Sequence, residues 1–137
     1  MKYFMCALGA EAQNEQTPAT VYLGIPTMHA ERIIPVTKTQ TTESETENDE
    51  VFISLPVLFQ QKNTVTPHGI VLRSDRVPKT VLLTSRVEKD VEIPEESIQR
   101  LPGIFVGLSK YFRGIYFDKH NLFLIVDTEK FMEGKND

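Results

Sequence analysis

Chemistry needs convergent groups: a nucleophile beside a base, paired carboxylates, or ligands spaced for a metal. His29, His68 and His120 lie far apart, and none has a second His or Cys at ligand spacing. His120 falls in a polar turn, and His68 stands between Pro67 and Gly69, both ordinary settings for an exposed imidazole. Cys6 alternates with Phe4 and Leu8, the pattern of a strand residue facing a core, so its thiol reads as buried and inert. Glu95 and Glu96 follow Pro94, where a helix N-terminus favours negative charge. Asp90 and Glu92 share one strand face and read as solvated. No G-x-S-x-G, P-loop or dinucleotide fingerprint occurs. The expectation is a protein without catalytic residues, metal ligands or a cofactor.

The elements that would position any site form a chain of 137 residues, 40% hydrophobic and 25% charged, with a net charge of -4. That length fits one domain or two closely packed subdomains with a real core. The acidic balance argues against a surface built for nucleic acid or anionic lipid. One cysteine excludes an internal disulfide framework. No stretch approaches the roughly 20 apolar residues of a membrane-spanning helix. Lys2 followed by Tyr3–Ala10 and Ala10-Glu11-Ala12 superficially resembles a secretory leader, but a first strand over Lys2–Leu8 explains the same residues.

Short β-rich runs bounded by turn residues recur throughout. They predict strands at Lys2–Leu8, Thr20–Gly24, Arg32–Val36, Val51–Leu55, Gly69–Arg73, Thr80–Ser85, Lys89–Ile93, Tyr111–Phe117 and Leu122–Val126. Asp118-Lys119-His120-Asn121 is a polar turn, so the last two strands should form a hairpin. Asp127 can cap a short helix over Thr128–Met132, and helical turns are expected after Pro26 and at Glu95–Ile98. Ala10–Ala19 reads as a hairpin loop. Thr37–Glu50, TKTQTTESETENDE, has no aliphatic or aromatic residue and cannot bury enough apolar area to offset its ordering entropy. A mobile acidic loop is expected there.

The pattern also repeats. Val21–Pro26 leads through a short spacer to Arg32–Pro35, and about 59 residues later Thr80–Ser85 leads to Glu92-Ile93-Pro94. Likewise Glu50–Leu55 precedes Pro56–Phe59 much as Asn121–Val126 precedes Asp127–Phe131. Two small β-barrels built from similar halves would explain this all-β pattern.

Over Thr80–Phe131 the sequence resembles a known family. Val81–Pro94 is similar to the strand-corner-strand motif of CheW-like domains, which ends in a hydrophobic-Pro step. Leu101-Pro102-Gly103, Gly107-Leu108, Tyr111–Ile115 and the closing Asn121–Phe131 follow in the family's order. Tyr3–Gly9, Tyr22–Val36 and Val51–Phe59 fit its first half more loosely. Where the family carries a Gly-hydrophobic-Asn-hydrophobic-Arg-Gly segment, this chain has Glu43–Glu50, with Asn48-Asp49 in place of Arg-Gly.

The resemblance implies two SH3-like five-stranded barrels around a shared core, with about residues 15–75 in the first. The second would take about residues 76–132 and the N-terminal strand. It implies a cytoplasmic, noncatalytic adaptor that couples chemoreceptors to a CheA-type histidine kinase. One barrel would meet the kinase regulatory domain, and a groove between barrels would receive the receptor's hairpin tip. Alternatives are a CheW-like scaffold of another two-component or motility pathway, and a small β-barrel ligand-binding protein or enzyme. Candidate partner contacts are Ile34, Val36, Asn48, Val51 and Ile53 from the first half. Leu108, Tyr111 and Arg113 are the candidates from the second, where Gly107–Gly114 concentrates aliphatic, aromatic and Arg residues. The apolar members of both groups can equally be core.

Overall fold

The computed structural model describes residues 1–7, 20–36, 44–47, 49–55, 66–75, 78–101, 103, 110–119 and 121–133. Period-two alternation produces β1 (Lys2–Ala7), β2 (Thr20–Pro26), β3 (Ala30–Pro35), β5 (Glu50–Ser54), β6 (His68–Leu72), β7 (Lys79–Thr84), β8 (Arg86–Glu92), β9 (Phe112–Asp118) and β10 (Asn121–Val126). These match the nine expected strands to within a few residues. The exception is β4 (Ser44–Glu47), which stands inside the segment expected to be a mobile loop. It pairs antiparallel with β5 from Ser44↔Ile53 to Glu47↔Glu50, so hydrogen bonding to a neighbour supplies the order that its side chains do not. The rest of that segment, 37–43 and 48, lies outside the described residues, as do all of the expected loop 10–19 and residues 56–59.

Among the described residues, the helical elements are 3-10 turns at Thr27–His29 and Glu95–Ser97 and α1 (Thr128–Glu133), and Leu55, directly after β5, is also helical. Asp127 caps α1 as expected, its side chain accepting from the Lys130 N–H at 3.3 Å. No helix among the described residues is long and apolar enough to cross a membrane.

The strands form two five-stranded mixed sheets, ordered β8-β1-β2-β10-β9 and β3-β6-β7-β5-β4. Each contains one parallel pair, β2 with β10 and β5 with β7. The sequence repeat maps β2 to β7, β3 to β8 and β5 to β10. The structure extends it to β1 with β6 and β4 with β9, and that substitution converts one sheet order into the other. The two tight hairpins are also counterparts. Glu47↔Glu50 and Asp118↔Asn121 each flank a two-residue loop, with Asp49 at φ 61° and Lys119 at φ 57°. Both corners cross between sheets: β2 to β3 through Thr27–His29, and β7 to β8 through Ser85. Each sheet therefore draws strands from both halves of the chain.

Pleating then sorts the apolar residues. In the run Leu122–Val126, Leu122, Leu124 and Val126 face a core shared by the sheets, while Phe123 and Ile125 face the outer side of the first sheet. The shared core holds Cys6, Leu23, Ile53, Ile70, Leu72 and Leu82, with Phe131 of α1. Outer clusters flank it: Tyr3, Met5, Ile93, Phe123 and Ile125 on the first sheet, and Phe52, Val71, Val81 and Leu83 on the second. An unbroken apolar run is what burial on both faces of a strand requires. Thr84 ties the sheets together, its hydroxyl donating to the Ala7 carbonyl at 2.9 Å.

The expectation of closed SH3-like barrels is not met. Among the described residues no ladder joins β8 to β9, or β3 to β4, so both sheets stay open. The edges show why. Among the described residues, the outer side of β9 takes no partner strand apart from one bridge at Gln99↔Ile115. β8 carries Arg86, Glu88, Lys89, Asp90 and Glu92, and β4 carries Glu45 and Glu47, charges that oppose further pairing. β3 ends in Pro35, which has no N–H to donate.

Candidate interaction surface

Among the described residues, the groups with displaced titration lie in or against the cores, as Cys6 and the burial-raised Tyr22 do, or in ties between strands and turns. Cys6 lies in the shared core, where burial pushes its thiol up to about 12. Tyr3 has its ring in the outer cluster of the first sheet and its hydroxyl donating to Glu95, while Arg113 donates to that same hydroxyl. Arg113 also reaches Glu95 at 3.0 Å. Burial first, and then the bond to Glu95, push the Tyr3 hydroxyl up to about 12. The bond from Tyr3, with help from Arg113, holds the Glu95 carboxyl below its usual range. Glu31 is held low by Lys79, whose ammonium lies 2.6 Å away and also donates to the Ser74 carbonyl. Apart from Cys6 and Tyr22, these groups fasten strands and turns together.

The surface available to a partner is better read from the sheet edges. Natural edges are guarded by charge against stray pairing, and β8 and β4 follow that rule. Glu45 and Glu47 on β4, Asp49 in its turn and Glu50 at the start of β5 give the second sheet an acidic rim. β3 and β9 instead present apolar side chains. Ile33 on β3 is 40% exposed and Phe117 near the end of β9 is 57% exposed, with Met28 at the nearby corner at 59%.

Of the candidates named from sequence, Ile34 and Val36 are half-buried against Phe52, Val71, Val81 and Leu83 on the outer face of the second sheet. Val51 is half-buried against the shared core, and Ile53, on the same face of β5, is inside it. Tyr111 is half-buried, stacked on Phe131 with centroids 4.9 Å apart, and the Lys110 ammonium lies 4.9 Å from its ring centre. Arg113 is exposed but engaged by Tyr3 and Glu95. Asn48 and Leu108 lie outside the described residues. The structure thus puts Ile34 and Val36 on the outer face of the second sheet and Val51 and Ile53 on its core face, so the four do not form one surface. It sets Tyr111 and Arg113 at the start of β9. Sequence reading missed Ile33 and Phe117. The available signal was the pleat, since Ile33 must face away from Ile34, and Phe117 stands at a hairpin end where the sheet gives least cover.

No family model matches the sequence, and no curated protein matches it. Solved structures do match. The crystal structure of the scaffolding protein TtCheW from Thermoanaerobacter tengcongensis superposes with a TM-score of 0.67, covering 92% of this chain and 83% of that one at 14% identity. With its two sheets, crossing corners and closing strand-Asp-helix, this chain has the fold of a CheW-like scaffold protein.

Proposed function

We propose that the protein is a noncatalytic, cytoplasmic adaptor that couples chemoreceptors to a CheA-type histidine kinase. The observation that carries this reading is the likeness to a scaffolding protein over 92% of the chain, in a fold whose two sheets share one strand order. The titratable groups among the described residues support it, because those with displaced behaviour pack in or against the cores or tie strands and turns together.

The acidic rim favours a specific refinement. Where the resembling family carries Arg-Gly, this chain has Asn48-Asp49, and the adjoining strand β4 adds Glu45 and Glu47. A change in the sign of the local field alters which surfaces can approach, since like charges across an interface cost affinity. The adaptor therefore meets its kinase or receptor through a surface of altered charge, either in chemotaxis or in a related two-component or motility pathway.

Calorimetry with a kinase regulatory domain and a receptor hairpin tip tests both statements. Binding of either fragment is expected, and it should weaken when Asp49 and Glu50 are reversed to Lys. Failure to bind either fragment would overturn the coupling function. Ordinary binding that survives the charge reversal would overturn the altered interface alone.

A further inference from the structure

We propose that residues 93–101 are a releasable strap, seated on the β9 edge where an extended segment of a partner protein can take its place. The purpose of such a device rests on the adaptor reading above, whereas its geometry stands independently. The strap meets β9 at one residue pair. Gln99 donates to the Ile115 carbonyl at 2.7 Å and Ile115 donates to the Gln99 carbonyl at 2.8 Å, an isolated bridge with no ladder on either side among the described residues. The edge therefore already accepts an extended chain, in the manner of strand addition to a sheet.

Gly114 makes the seat. A Cβ there would stand 2.6 Å from the Gln99 carbonyl oxygen and 2.7 Å from Ile98 Cγ2, so only a residue without a side chain lets the strap cross so closely. At its start the strap is latched by Glu95 to Tyr3 and Arg113, and by the Ile93 N–H to the Met1 carbonyl at 3.0 Å. Ile93 is buried in the outer cluster and Ile98 packs against it. Pro94, Glu95, Glu96, Ser97, Gln99 and Arg100 are all exposed. Ile93 and, at the far end, Leu101 pack against the two cores. The span 94–100 between them buries little beyond part of Ile98, so it can open while the strands beneath stay closed. Once open, it leaves the N–H and C=O of Ile115 to an incoming chain. The resident strap defines the occupant: an extended peptide with an aliphatic residue over Gly114 and a backbone pair to Ile115.

Hydrogen exchange on the full chain, with a labelled synthetic peptide of residues 93–101 as probe, tests this. In Glu95→Ala the resident strap loses its latch while the added peptide keeps its own glutamate. The Gln99 and Ile115 amides should then exchange about fivefold faster, and the peptide should bind about fivefold more tightly than to the unaltered chain. Amides of β1 and β10 should not change. Gly114→Ala should speed the same two amides and abolish peptide binding; if that variant does not fold, Glu95→Ala decides. Exchange of Gln99 and Ile115 only at the rate of the β10 amides would overturn the proposal, as would opening without peptide binding. No kinase or receptor fragment enters the assay, so its outcome is separable from that of the coupling test.

Discussion

Thr80 and Thr84 stand four residues apart on β7, both fully buried, and the same substitution should move stability in opposite directions at the two sites. Thr84 donates its hydroxyl to the Ala7 carbonyl at 2.9 Å, joining the two sheets. Thr80 Oγ1 is buried without a hydrogen-bond partner among the described residues. Valine keeps the branched shape and the strand preference of threonine, so the hydroxyl is nearly all that changes. At Thr84, valine removes a buried hydrogen bond and should cost about 1–2 kcal/mol. At Thr80, valine replaces a desolvated, unpaired hydroxyl by a methyl and should stabilise by about 1 kcal/mol. The two variants should therefore differ by about 2–3 kcal/mol. With a urea slope of about 2 kcal/mol per M, their unfolding midpoints should separate by about 1–1.5 M. Equilibrium urea titration followed by circular dichroism measures this directly. A Thr80→Val variant less stable than the parent would refute the reasoning, as would a Thr84→Val variant of unchanged stability.

Lys119 holds a positive φ of 57° in the β9–β10 loop, a conformation that costs L-residues about 1 kcal/mol. Lys119→Gly should raise the melting temperature by a few degrees, and a fall would show that the turn depends on the lysine side chain. Cys6 should resist alkylation in the native chain and react at the rate of global unfolding, measured by mass spectrometry in graded urea, because its thiol is buried and held protonated. The Tyr3–Glu95–Arg113 contact should shape both arms of the pH–stability curve. Glu95 titrates below its unfolded value, so its contribution is present above about pH 4 and is lost as pH falls through the lowered native value. Tyr3 titrates above its ordinary value of 10.0, so its contribution is present below that and is lost as pH rises toward about 12. Tyr3→Phe should flatten both arms in urea titrations across pH, and a profile parallel to that of the parent chain would contradict the assignment.

Local signals made most of the strands legible. Val81-Leu82-Leu83 and Leu122–Val126 can be read as buried strands because an apolar residue is wanted on each face. Asp127 can be read as a cap because the carboxylate that satisfies a helix N-terminus sits in sequence beside it. The repeat of strand, corner and strand was also visible, since corners depend on Pro and small polar residues close in the chain. β4 was not, because Ser44-Glu45-Thr46-Glu47 has no apolar residue to set a period, and its order comes from the backbone of β5. The candidate contacts were legible as residue types only, since whether Ile53 lies inside and Ile33 outside depends on what covers each face.

The sequence by itself determined where the chain extends and turns, and that its two halves share one pattern. Only the tertiary structure decided that β2 and β7 exchange sheets and that both sheets remain open. It also decided that Arg113 is held by a tyrosine 110 residues away. The physical reason is range. Pleat, turn and cap are settled among neighbours in the chain, whereas strand pairing and edge closure are settled between backbones that meet only on folding.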